Sequence, residues 1–72
     1  MNEKYMATLG TKLIILRKKY KLTQMEIADS IGVSQNAYAQ WEADKCKPII
    51  SNLLKLSQYF KVDVNELLDD NE

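Results

Sequence analysis

Apolar residues recur at helical spacing along most of the chain, and where the spacing fails a cap or a breaker stands in the gap. Leu9, Leu13, Leu16 and Tyr20 fall on one stripe, with Tyr5 and Met6 beside it, which predicts a first helix from Tyr5 to Tyr20. The stretch "KLTQME" then restarts the pattern. Thr23 is placed to cap the next helix, and Glu26, three residues on, to reach back to the cap's own N–H, the spacing of a capping box. Helix two should run from about Gln24 to Ile31. Gly32 ends it, because the residue just past a helix end usually turns left-handed, and Ser34 caps a third helix over about Gln35–Ala43. Two stubs so closely joined leave each other at a steep angle. After Pro48 a fourth helix carries Leu53, Leu54, Leu56 and Phe60. A short fifth follows "KVD", where Asp63 and Glu66 repeat the capping-box spacing and Leu67 and Leu68 return to the core. Nothing alternates with period two, and only two Gly and one Pro interrupt the chain, so the fold expected is all-α.

Seventy-two residues support one hydrophobic core, so the expectation is a single domain over residues 1–72, packed from about 8 to 68, with a frayed acidic tail at 69–72. The apolar share is 46% and the charged share 28%, with no run near the roughly 20 apolar residues of a membrane span. The start, "MNEKYMATLG", has no signal-peptide core, which predicts a cytoplasmic protein. One cysteine, Cys46, forms no intrachain disulfide, and without any histidine a structural zinc is excluded, so no metal or other cofactor is expected.

Net charge is zero, which weighs against a nucleic-acid partner until the distribution is considered. Residues 1–48 hold eight cations against five acids, whereas residues 49–72 hold two cations against five acids. That asymmetry suits one face turned to a polyanion and a tail kept away from it. The third helix adds a chemical argument. Tyr38 and Trp41 face inward, leaving Gln35, Asn36 and Gln40 on faces no core needs. A merely solvated face usually carries Lys and Glu; this one carries amides, which offer a donor and an acceptor together, as the edge of adenine in the DNA major groove requires. Ala28 is small and one turn before Gly32, so helices two and three can cross closely and leave that outer face exposed.

The segment "LRKKYKLTQMEIADSIGVSQNAYAQWE", followed by Lys45, Lys47 and Pro48 and by "LLKLSQYFKVDVNELL", resembles the phage Cro and repressor family of helix-turn-helix DNA-binding domains. The likeness spans about Gly10 to Leu68. It implies a compact five-helix repressor-like domain in which helices two and three form the helix-turn-helix. It implies that Gln35, Asn36 and Gln40 face base edges, with Ala37 and Ala39 near enough to touch a thymine methyl. Gln24 would clamp a phosphate at the start of helix two, where free N–H groups and the helix dipole favour an anion. Ser34 would share a phosphate in the same way, and Lys45 and Lys47 would hold the backbone beyond the recognition helix. Arg17 and Glu42 would form an ion pair between helix one and the recognition helix, with a phosphate contact as Arg17's second role. Trp41 would be mostly core, its indole N–H reaching a phosphate.

Two departures mark this chain. Asp44 stands where a glycine turn is common, and its charge lies near the expected phosphates. Ile14, Ile15, Met25 and Ile49 are apolar where such domains carry polar surface, with Ile14 and Ile15 expected to point outward. Cys46, beside the expected DNA backbone, reads as an incidental thiol. The function expected is a sequence-specific regulator of transcription on double-stranded DNA, not an enzyme, since no histidine base or phosphate loop is present. One recognition helix reads too few base pairs to select a site, so a homodimer on an inverted repeat is expected, through Ile49, Tyr59, Val62 and Val64. The rival is a protein-interaction adaptor or antitoxin-like partner that keeps the fold and uses Ile14, Ile15 and Ile49; zero net charge and Asp44 favour it.

Overall fold

A computed structural model of the chain describes residues 7–69. They form five helices: α1, Leu9–Lys19; α2, Gln24–Ile31; α3, Gln35–Glu42; α4, Ile50–Phe60; and α5, Val64–Leu67. Among the described residues there is no strand, and no helix is long and apolar enough to cross a membrane.

Side-chain caps start four of the five helices; α4, which follows Ile49, has none. The Thr23 hydroxyl accepts from the Glu26 N–H at 3.0 Å while the Glu26 carboxylate accepts from the Thr23 N–H at 2.8 Å, the full capping box. Ser34 accepts from Ala37 N–H at 3.0 Å. At α5 the expected box does not form: the Asp63 carboxylate accepts from the Asn65 N–H instead, and the Glu66 N–H donates to the Asp63 carbonyl. Helix α1 starts later than its apolar stripe suggests, because Thr8 caps it through the Thr11 N–H. Tyr5 and Met6 lie outside the described residues.

Four helices stop the same way, with one left-handed residue past the last turn. These are Lys21 (φ 57), Gly32 (φ 80), Asp44 (φ 60) and Lys61 (φ 58). In each case the next N–H closes back five residues: Leu22 to the Arg17 carbonyl, Val33 to Ala28, Lys45 to Gln40 and Val62 to Ser57. Orphan carbonyls are satisfied and the chain reverses. Only one of the four is glycine.

The core joins Leu9 and Leu13 of α1, Ile27, Ala28 and Ile31 of α2, Tyr38 and Trp41 of α3, Leu53, Leu56 and Phe60 of α4, and Leu67 of α5. Each large side chain so buried contributes about 1.5–3 kcal/mol against exposure. Helix α3 packs on α2 and α1, while α4 backs α2 and α5 closes against α1 and α4. Some expectations fail here. Leu54 is 44% exposed because α4 buries one stripe and Leu54 falls off it, and Leu68 is 39% exposed because α5 ends at Leu67 and the chain is extended at Leu68. Ile14 is half-buried rather than exposed, and Tyr59, Val62 and Val64 pack partly on the core.

Asp69, expected in the frayed tail, is held: its carboxylate accepts from the Leu9 N–H at the start of α1 and pairs with Lys47 Nζ at 2.9 Å. Residues 70–72 lie outside the described residues. Asp44 reaches the same helix start, accepting from the Gly10 N–H at 3.0 Å and the Thr8 hydroxyl at 2.6 Å. Helix α1 has no acid in its own first turn; two distant aspartates supply the negative charge its dipole favours.

Candidate nucleic-acid interface

The sharp turn at Gly32 and the cap at Ser34 swing α3 across α2, with Ala28 fully buried between them. The outer face of α3 is left open. Gln35 and Asn36 are exposed near its start, and Ala37, Ala39 and Gln40 are half-buried around it. Together with the Ser34 cap they form a short, polar, uncharged surface. The free N–H groups of the helix start lie at one end, and Lys45 and Lys47 lie past the other.

Behind that face sits a buried charge. Arg17 Nε donates to Glu42 Oε2 at 2.7 Å and its Nη2 to Glu42 Oε1 at 3.2 Å, a two-pronged pair joining α1 to the end of α3. Arg17 also donates to the Leu22 carbonyl at 3.1 Å, fixing the α1–α2 turn to the same group. Gln24 Nε2 donates to Glu42 Oε1 at 3.0 Å, so α2 joins as well. The resemblance did not imply that Gln24 contact. It gives the side chain a protein partner in place of an open reach toward phosphate, while the Gln24 N–H remains at the helix start.

One carboxylate thus binds three helices in register. Burial pushes the Glu42 carboxyl up, but the bonds from Arg17 and Gln24, with the Tyr38 hydroxyl near, outweigh it and hold the group below the ordinary carboxylate range. The hydrogen bond to Glu42 in turn raises the Arg17 guanidinium. The Tyr38 hydroxyl is buried beside this carboxylate without a hydrogen bond of good geometry, and desolvation drives its pKa well above the ordinary value. Trp41 is buried, with its ring edge-on to Tyr38 at 5.9 Å between centroids. An exact pose for α3 therefore comes from one ion pair and two packed aromatic rings.

The remaining cations differ in their freedom to meet an anion. Lys47 is paired with Asp69, although its side chain stays 66% exposed, and Lys45 is exposed in the loop. The charge of Asp44, expected near phosphates, is turned inward onto the start of α1. On the side of the molecule built by α4, Ile49 is 67% exposed, and Ile50 and Leu54 beside it are exposed too. Ile15 on α1 is also exposed.

Sequence reasoning missed Gly10. A β-carbon there would lie 2.5 Å from the Glu42 carbonyl oxygen and 2.6 Å from Asp44 Oδ1. Glycine lets α1 touch the end of α3, and it thereby seats the base of that helix.

Residues 10–72 match the helix-turn-helix domain family. The HTH-type transcriptional activator BcrR of Enterococcus faecalis is 38% identical over 61 residues, 85% of this chain and 30% of that protein. The cryptic phage CTXphi transcriptional repressor RstR of Vibrio cholerae is 34% identical over 63 residues, 88% of this chain and 57% of that protein. The chain therefore spans between about a third and somewhat over half of these relatives. Among solved structures, the P22 c2 repressor in complex with a synthetic operator superposes with a TM-score of 0.83 at 34% identity, covering 86% of this chain and 94% of that one.

Proposed function

This chain belongs to the helix-turn-helix domain family, and on that premise we propose that it is a transcriptional regulator that binds double-stranded DNA sequence-specifically by laying α3 in the major groove. The observation that carries the reading is the amide face of Gln35, Asn36 and Gln40, uncharged and outward, on a helix held in one pose by the Arg17–Glu42 pair. An exposed helix fits the width of the major groove, and amides match base edges there. Ala37 and Ala39 supply apolar contact for a thymine methyl. The start of α2 at Gln24, the start of α3 at Ser34, and Lys45, Lys47, Arg17 and Trp41 around them supply the phosphate contacts that fix register without reading sequence. The five helices share one core, which supports their acting as one domain.

Binding on an inverted repeat as a homodimer completes the proposal. Two-fold pairing sets two α3 helices in successive major grooves about 34 Å apart. Ile49 is the strongest candidate for the interface, extended by Ile50 and Leu54; Tyr59, Val62 and Val64 contribute only their exposed edges. Selection of bound duplexes from a random pool, followed by sedimentation on the selected site, tests both parts. The expected result is an enriched inverted repeat carrying two chains per duplex. An unenriched pool would overturn sequence-specific binding, and one chain on a site without inverted symmetry would overturn the dimer. If the protein bound no duplex and showed no salt dependence, the adaptor reading through Ile15 and Ile49 would replace both.

A further inference from the structure

The ends of α1 and α4 enclose a groove of about 390 Å³, lined by Tyr20, Leu22, Tyr59, Phe60 and Lys61. Phe60, only 2% exposed, forms its floor. The Phe60 ring stacks on Tyr20 at 6.1 Å between centroids and meets Tyr59 edge-on at 5.2 Å, so three aromatic rings make one continuous surface. Tyr20 stays 48% exposed. Cations surround these rings. The Lys19 ammonium lies 5.5 Å from the centre of the Tyr20 ring, and the left-handed residues that close α1 and α4 are both lysines, Lys21 and Lys61. All three are exposed, and none of them is in an ion pair among the described residues. The acids nearest to them in the chain are committed elsewhere: the Glu26 carboxylate caps α2 and that of Asp63 caps α5.

We propose that this groove docks an acidic segment of a partner protein, which seats one aromatic or leucine side chain on the rings and sets its carboxylates against Lys19, Lys21 and Lys61. Charge complementarity selects the occupant: the rim is positive and uncompensated, and the floor is apolar. A DNA backbone would satisfy the lysines but has no apolar group for the floor. The Tyr20 ring, already engaged by Phe60 and Lys19, gives poor footing to a stacked base. No residue of α3 lines the groove, so an occupant leaves Gln35, Asn36 and Gln40 open, and the inference does not depend on what those amides read.

The test is selection of short peptides from a random display library on the full chain, then fluorescence anisotropy of one enriched, labelled peptide. The enriched set should combine several Asp or Glu residues with one aromatic residue or leucine. Lys19→Glu combined with Lys61→Glu should weaken that peptide about tenfold, and by less as salt rises. Tyr20→Ala, which keeps the charge, should weaken it about fivefold. Both lysines are exposed, so the charge-reversed pair should melt as the parent does and decides the matter even if Tyr20→Ala proves unstable. Enriched peptides without acids, or an affinity unchanged by the charge-reversed pair, overturn the proposal. Single-stranded DNA held more tightly than the peptide and lost in Tyr20→Ala would give the groove to nucleic acid instead, and self-association abolished by the charge-reversed pair would give it to a second copy; either result also overturns it.

Discussion

Replacing Gly10 with alanine sets two effects of opposite sign against each other. In an exposed helix interior the change gains about 0.8–1 kcal/mol from backbone entropy. Gly10, however, is buried at the contact of α1 with the end of α3. The new methyl would lie 2.5 Å from the Glu42 carbonyl oxygen, roughly 0.9 Å inside ordinary van der Waals contact, and that oxygen is backbone and cannot swing away. Overpacking of this kind costs about 1–3 kcal/mol. The second neighbour, Asp44 Oδ1, can move, but only by giving up its bond from the Gly10 N–H, a charge-assisted contact worth about 1.5–3 kcal/mol. The net expectation is a destabilisation of about 1.5–5 kcal/mol, read as a lower urea midpoint at unchanged slope. Gly32→Ala provides the contrast, since nothing lies within 4 Å of its added carbon and only the strain of φ +80 is charged. If Gly10→Ala proved as stable as the parent or more so, the close seating of α1 on α3 would be wrong.

Lys61→Gly should raise stability by about 0.5–1 kcal/mol, since φ 58 is left-handed and the side chain exposed; a thermal melt should shift up by about 3–6 °C. Acid should act through Glu42. Its folded pKa lies below the unfolded value of about 4.3, so the stability it contributes is complete above that pH and is lost as pH falls through the lower folded value; denaturant midpoints from pH 6 to 2 should therefore fall more steeply for the parent than for Glu42→Gln. Lys45→Ala should weaken binding to all duplexes alike and flatten the dependence of log K on log salt by about one unit, checked by titration at several salt concentrations.

Signals that act within one turn were legible in the sequence. Thr23 with Glu26, Gly32, and Ser34 placed both ends of α2 and the start of α3, whose expected last residue, Ala43, is instead its C-cap, because each satisfies a neighbouring N–H or supplies a backbone angle and needs nothing distant. The core stripe of α1 was read correctly from Leu9 and Leu13, but its start was not, since Thr8 has no acid three residues later to mark it. Leu54 shows the limit of periodicity in a helix with apolar residues on more than one face, and Leu68 the difficulty of fixing a short helix's end. What could not be read depends on residues far apart in the chain. Asp44 and Asp69 cap α1 from 34 and 60 residues away, and Gly10 matters only because α3 ends beside it. The left-handed lysines, Lys21 and Lys61, carry no local mark at all: helix-closing bonds impose the conformation. In the site, the exposed amides Gln35 and Asn36 followed from the helical wheel. The Arg17–Glu42 pairing came through family resemblance, and the binding of Gln24 to Glu42 and of Cys46 to Gln40 required coordinates.

The claim on which everything else depends is that α3 reads base edges with its amides. The most direct measurement is the affinity of the parent, Gln35→Ala and Asn36→Ala for the selected duplex and for a scrambled duplex of equal length and salt. Neither side chain is needed by the core, so both variants should fold as the parent does. The account predicts a loss of about 1–3 kcal/mol on the selected site for each variant, with affinity for the scrambled duplex unchanged. Equal losses on both duplexes, or no loss on either, would contradict it.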